Sequence, residues 1–313
     1  VDPGSPDVRN NRCVRLLFTV LAVQAALVAG LAALAITGTA PFGGSGDDSA
    51  SAAEAVPRPT VDRFDSARAY RRVRRQVAMG PRPAGSRASR SLAVSLREAL
   101  PGGRFQPVPG GLRNVVGKVR GSDPSRVVLL SAHYDTKDLP GFLGANDGAS
   151  GTAIVTELAR TIRPRSLRPT VVFLLFDGEE APAGAPDSEF ERYGLRGSKA
   201  AAPRYRDAEA MILLDFVGER RLRVPAESFS DTELWGRLRR AARRVGVGKV
   251  FPGGTQGGIL DDHVPFIRQG VPSIDLIDFD FPCWHKTCDD MSKISQRSLD
   301  AVGETTLELL RTL

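Results

Sequence analysis

Histidine is nearly absent from this chain, with three copies in 313 residues. A histidine-rich metal tract is excluded, and any imidazole chemistry must draw on those few positions. Cysteine is as scarce, also three copies, which excludes a disulfide-dense scaffold. No internal repeat is visible, so a solenoid or propeller is excluded as well. Net acidic charge is lacking too, the formal balance being +7. The basic residues are mostly Arg and are dispersed, a pattern of a solvated surface rather than of a nucleic-acid-binding stripe. The densest run, Arg68 to Arg75, fits an amphipathic helix with Ala67, Tyr70, Val73 and Val77 on its apolar face; a lipid-headgroup contact is the other reading of that basic run.

Long hydrophobic runs are lacking except for one. Residues 16–37 are apolar apart from Thr19, Gln24, Gly30 and the terminal Thr37, and Arg9, Arg12 and Arg15 precede them. At about 1.5 Å per residue the run spans roughly 33 Å, enough to cross a hydrocarbon core, and the arginines predict a cytoplasmic amino end. The expected organisation is a cytoplasmic segment 1–15, a transmembrane anchor 16–37, a flexible linker 38–60 and a catalytic domain 61–313 outside the cytoplasm. A cleaved signal peptide is the competing reading, with Ala50-Ser-Ala52 as a small-residue site. Cys13 precedes the run, whereas Cys283 and Cys288 flank His285 in a compartment that permits disulfides. A bridge there would rigidify that loop; thiol ligation of a metal is the alternative.

The remainder, with 42% hydrophobic residues in the whole chain, is ample for one large core. Strands are expected over 114–119, 126–131, 169–176, 208–217 and 273–277. Helices are expected over 148–162, 230–244 with a Ser230/Glu233 capping box, 261–269 and 296–310. This alternation predicts a single α/β domain, its mostly parallel mixed sheet covered by helices on both faces. Polar motifs follow the apolar strands, and the carboxyl ends of strands in such sheets converge on one crevice.

Each histidine stands near aspartates: His133-Tyr-Asp135, Asp261-Asp-His263 and His285-Lys-Thr-Cys-Asp-Asp290. Imidazole is the commonest protein ligand for zinc and carboxylates complete its shell, so His133, Asp147, Glu180, Asp215 and His285 are the candidate ligands. In order, His133-x-Asp135, Gly144-Ala-Asn-Asp147, Asp177-Gly-Glu-Glu180, Leu214-Asp215 and the late His285 resemble the signature of the zinc exopeptidases of the bacterial aminopeptidase type, whose superfamily includes the glutaminyl cyclases. Within it, Phe176-Asp-Gly-Glu-Glu-Ala181, Asp261-Asp-His-Val-Pro-Phe266 with Arg268-Gln-Gly-Val-Pro272, and Phe281-Pro-Cys-Trp-His285 resemble the cyclases, as does His133-Tyr-Asp-Thr-Lys137. Asn146-Asp-Gly-Ala-Ser-Gly151 is more similar to the aminopeptidase pattern. The chain departs from the cyclases at Pro182-Ala-Gly-Ala-Pro186, at Asp275 and in the spacing from His285 to Asp289, which bears on the substrate pocket rather than the metal site.

The cyclase resemblance implies one zinc held by Asp147, Glu180 and His285, polarising the γ-carbonyl of an amino-terminal glutamine. Glu179 would carry the proton from the attacking amine to departing ammonia, Asp215 and Asp261 would hold the intermediate, and Trp284 and Phe281 would wall the pocket. The aminopeptidase resemblance implies a second zinc on His133 and Asp215, with Asp147 bridging and Glu179 activating water. In either case Asp135 would orient His133, His263 would support the site from outside the metal shell, and Asp289 and Asp290 would brace the loop. The expected partners are peptide or protein amino termini, and the membrane through residues 16–37. A non-catalytic ectodomain is the third reading; the retained Glu179 and ligand set argue against it.

Overall fold

Runs of leucine and β-branched residues dictate where the sheet forms. In this computed structural model, which describes residues 55–313, helices α1 (Ser66–Val77) and α2 (Arg87–Ala99) come first. Strands β1 (Arg104–Val108), β2 (Leu112–Val119) and β3 (Asp123–His133) follow, then α3 (Ala149–Thr161) and β4 (Pro169–Phe176). Short helices α4 (Phe190–Tyr193) and α5 (Arg196–Ala201) lead to β5 (Ala210–Asp215), β6 (Ala226–Glu227) and α6 (Thr232–Arg244). The chain ends through β7 (Thr255–Gln256), α7 (Val264–Ile267), β8 (Ser273–Ile277) and α8 (Gln296–Leu310).

The main sheet has six strands in the order β1-β2-β4-β3-β5-β8. β1, β2 and β4 pair antiparallel, while β4, β3, β5 and β8 run parallel. Along β4, Val171, Phe173 and Leu175 face the cluster built with α1, α2, α3, α6 and α8, whereas Val172, Leu174 and Phe176 face the cluster holding Ala201 of α5 and Phe266 of α7. A strand covered on both faces has no solvent side, which is why β4 reads as an unbroken apolar run.

Several expectations shift. The buried face of α1 is Ala69, Val73 and Gln76, with Tyr70 and Val77 partly packed and Ala67 off it. Gln76 goes inside because its amide donates to the Ala149 carbonyl at 3.2 Å. The cap of α6 is Asp231, accepting from Leu234 N–H at 2.8 Å, and Ser230 instead accepts from Asp275 N–H. The helix expected over 261–269 shrinks to the single turn α7, with Pro265 in that turn and Gly270 at φ +83° beyond its end. Helix α2 and strand β1 were not expected; α2 starts on a Ser86 cap and buries Ser89, Leu92, Ala93 and Leu96 at helical spacing, and β1 tolerates Pro107 because it lies at the sheet edge.

The segment 1–15, the anchor 16–37 and most of the 38–60 linker lie outside the described residues. Of the linker, Val56 is buried in the core and Thr60 N–H donates to the Val245 carbonyl, so packing begins ahead of residue 61. Among the described residues, no helix is long and apolar enough to cross a membrane.

Candidate active site

The parallel strands deliver the polar motifs to one edge. His133 is the last residue of β3, Asp215 the last of β5, Glu179 and Glu180 follow β4, and His285 follows β8. Asp147 arrives from a turn before α3 that requires glycine next to it. Gly148 has φ +81°, and a Cβ there would lie 2.7 Å from the Asp135 carbonyl oxygen and 3.1 Å from the His133 ring.

Asp147 sits between both histidines. Its Oδ1 is 3.3 Å from His133 Nε2, which is also 3.3 Å from Asp215 Oδ1; its Oδ2 is 3.7 Å from His285 Nε2, which is 3.0 Å from Glu180 Oε1. Two donor clusters therefore share one carboxylate, His133–Asp147–Asp215 and Asp147–Glu180–His285, each within 4.8 Å. The free valence fits a cation: Asp147 Oδ2 is buried without a hydrogen-bond donor. Two neutral or anionic nitrogen and oxygen donor sets of this kind suit zinc. Lys137 Nζ lies 3.1 Å from Glu180 Oε2 and supplies positive charge there.

The surroundings hold these ligands in place. Both Asp289 oxygens accept backbone N–H groups, from Asn146 at 2.8 Å and Asp147 at 3.0 Å, so Asp289 braces the Asp147 turn rather than only its own loop. Asp290 accepts from Ser292 N–H, closing a turn of its own. Asp135 does less for His133 than expected. At 3.7 Å from Nδ1 it is beyond hydrogen-bond reach, and its oxygens accept instead from the backbones of Glu179 and Glu180, each at 3.2 Å. Cys283 and Cys288 form a disulfide around His285, whose backbone is left-handed at φ 49° and whose ring stacks on Trp284 at 4.4 Å. Arg82, which sequence reasoning missed, is wholly buried and donates to the carbonyls of Gln76, Gly80, Leu143 and Gly144, clamping the ligand turn to the end of α1. In so Arg-rich a chain nothing but its place between two prolines, Pro81-Arg-Pro83, marked it.

A cleft of about 330 Å³ opens onto the second cluster, with Glu179, Asp215 and Asp261 in its lining and Phe190, Phe216, Phe279 and Trp284 as its aromatic walls. Phe281 does not line it. That residue is buried behind Phe216, ring centroids 6.0 Å apart, and Phe216 and Phe279 take the place expected for it. His263 is buried away from both donor clusters, 3.3 Å from Glu227.

Burial and crowding set the protonation states. Burial, then the charge of Glu180, push Glu179 well above the usual glutamate range. Burial lifts Asp215 to about 7 against the pull of His133, and likewise lifts Asp147. Burial alone would lower His133, yet Asp215 and the other carboxylates raise it well above the ordinary imidazole range. Glu180 goes down instead: burial resists, but His285 and Lys137 outweigh it.

The family model described as peptidase family M28 matches residues 114–310. A glutaminyl-peptide cyclotransferase of Bos taurus is 31% identical over 239 residues, covering 63% of this chain and 65% of that protein. The chain thus spans less than two thirds of the length of such curated relatives. Among solved structures, the glutaminyl cyclase of Porphyromonas gingivalis superposes with a TM-score of 0.69 at 31% identity, covering 80% of this chain and 99% of that one. A leucine aminopeptidase precursor from Bacteroides thetaiotaomicron gives a TM-score of 0.71 at 28% identity, covering 82% and 99%.

Proposed function

This chain belongs to peptidase family M28, and from that membership we propose that it is a zinc-dependent glutaminyl-peptide cyclotransferase acting on the amino termini of peptides or proteins. The observation that carries this reading is the small aromatic cleft, walled in part by Trp284, at the Asp147–Glu180–His285 cluster. It suits one compact side chain folding back on its own amine. The likeness to cyclases from Bos taurus and Porphyromonas gingivalis supports it.

Asp147, Glu180 and His285 would hold the zinc, which when bound supplies a Lewis acid for the substrate's γ-carbonyl oxygen. The rest falls to the protein. Glu179, buried and with a raised pKa, takes a proton from the α-amine as its nitrogen bonds to the γ-carbon, then returns it to the departing amide nitrogen, so that ammonia leaves and the net proton count is unchanged. Asp215 and Asp261 offer acceptors for the N–H groups of the reacting amine. Phe216, Phe279 and Trp284 keep water, the competing nucleophile, from the carbonyl.

Mixing the purified protein with zinc and a glutamine-initiated peptide tests the reading: ammonia and a pyroglutamyl product are expected, and their absence defeats it. The second reading, a dinuclear zinc aminopeptidase, is favoured by the bridging position of Asp147. Hydrolysis of aminoacyl anilides with two zinc ions per chain would establish it. We further place the catalytic unit outside the cytoplasm, anchored by residues 16–37 or secreted after cleavage, a reading supported by the Cys283–Cys288 disulfide. Protease accessibility on intact cells checks it.

A further inference from the structure

Arginine is dispersed along the sequence, but the acids that balance it are not. Residues 66–99, which form α1 and α2, hold nine arginines and a single acid, Glu98, a balance of +8 against +7 for the whole protein. The rest of the chain is therefore close to neutral. Part of the surplus is used inside: Arg82 is buried, and Arg68 and Arg72 lie 3.6 and 3.5 Å from Glu157 of α3, which also serves Arg160. Arg71, Arg74 and Arg75 of α1 and Arg87 and Arg90 of α2 are exposed and form no ion pair among the described residues. Helical spacing gathers them. Ala69 and Val73 turn one face of α1 into the core, and Leu92, Ala93 and Leu96 do so for α2, which leaves the arginines, with Val94, on the outer faces. The two helices are neighbours, since Arg75 and Met79 on one side and Leu92 and Ser95 on the other line one groove.

Arg71 and Arg75, four residues apart on one helix, repel each other, a cost that an external anion removes. We propose that the outer faces of α1 and α2 form a docking surface for the anionic phosphates of a phospholipid bilayer. Guanidinium forks match phosphate oxygens. Met79 and Val94, each 37% exposed, put apolar contact beside the charges, as the boundary between headgroups and acyl chains requires. A nucleic acid is the poorer match, because the exposed Phe and Trp side chains, Phe229, Phe279 and Trp284, all lie elsewhere and a base would find no ring to stack on. Residues 38–54 alone separate the apolar run 16–37 from the first described residue, at most roughly 60 Å of chain, so an anchored enzyme would have a bilayer nearby. No residue of either helix lines the catalytic cleft, so contact there covers none of its walls.

Only the presence of a bilayer rests on the anchored reading above; the chemistry of the surface does not. The test places the full chain in nanodiscs of phosphatidylcholine, with or without phosphatidylglycerol, and maps arginine modification by phenylglyoxal with mass spectrometry. At low salt the anionic discs should slow modification of Arg71, Arg74, Arg75, Arg87 and Arg90 about fivefold, the effect of one charge held at an anionic surface, and high salt should remove the protection. Arg192 and Arg206, whose side chains are 73% and 70% exposed elsewhere, should be unaffected. Combining Arg71→Gln, Arg74→Gln and Arg75→Gln should unprotect Arg87 and Arg90 as well. Equal protection in neutral discs, equal protection of Arg192 and Arg206, no protection at all, or the same protection by inorganic phosphate or a DNA duplex without discs overturns the proposal. If residues 16–37 do not insert, the chain will not stay with neutral discs, yet anionic discs should still protect the same five arginines. A chain that inserts without protecting them sinks this surface and leaves the anchor standing, and no outcome depends on turnover.

Discussion

On one side of Asp147, the side chains of His133 and Asp215 are only 2% and 6% exposed, and carboxylates crowd His133. On the other, the His285 side chain is 21% exposed, stacks on Trp284 and borders the cleft that Lys137 also lines. The two donor clusters share Asp147 and have the same number of ligands, yet all three outer ligands line the cleft, whereas of the inner cluster Asp215 and the shared Asp147 reach it and His133 does not. Similar ligand chemistry thus serves different ends according to access, and a catalytic metal needs the open position. In the inner cluster the carboxylates around buried His133 are built like a charge-balanced brace.

Breaking each side separately sharpens that contrast most. His285→Ala is expected to abolish cyclase turnover and outer-site zinc, whereas His133→Ala should retain activity within about tenfold, the cost of disturbing a supporting group. Equal loss in both, measured as kcat/KM with zinc content, would mean that the clusters act as one dinuclear centre. Next in size, Glu179→Gln should lower kcat by about 10² to 10⁴ with the zinc content unaltered, because the residue lines the cleft but belongs to neither cluster. A variant that turns over normally would take proton transfer away from Glu179.

The same contrast separates what was legible in the sequence from what was not. His133, Asp147, Glu180, Asp215 and His285 were readable because each follows an apolar run that becomes a strand, or sits in an ordered motif, and the ends of parallel strands must meet. Strands β4 and β8 were readable within the same residues, every one of them being buried. The cleft was harder. Whether Phe279 or Phe281 faces substrate depends on the path of a loop after β8 that no periodicity reports, and Phe281 turns inward against Phe216. Arg82 escaped for a related reason, since two of its partners are the backbone carbonyls of Leu143 and Gly144, distant in sequence. Asp289 was recognisable as a brace, but its target, the Asp147 turn, was visible only in the fold.

That brace offers a milder way to disturb the shared carboxylate. Asp289→Asn leaves one oxygen and replaces the other acceptor with an amide that cannot accept, so one of the two N–H groups of Asn146 and Asp147 loses its partner. Zinc affinity, read by competition with a chelator, should fall about 10- to 100-fold. Unchanged affinity would show that the Gly148 turn alone positions Asp147.

The smallest expected effect is on stability. In the metal-free protein Asp215 and Asp289 are each raised to about 7 by burial, with the field of neighbouring carboxylates adding to it. His133 is raised because carboxylates outweigh its burial. A group whose folded pKa exceeds its unfolded value binds protons more tightly when folded, so its contribution is complete below the unfolded pKa and is lost as pH rises through the folded one. All three groups act in the same direction between about pH 5 and 8. Glu180, lowered by His285 and Lys137, acts oppositely, but its contribution is lost only as pH falls below the ordinary glutamate range, outside that window. The metal-free Tm should therefore fall by a few °C, on the order of 2–4 °C for each kcal/mol lost, from pH 5 to pH 8. Zinc takes over the work of those protons, so the rise in Tm on adding zinc should grow with pH. A metal-free Tm that climbs across the window, or a zinc shift that ignores pH, would show that the inner carboxylates are not held protonated, and the sealed and open halves would then differ in access alone.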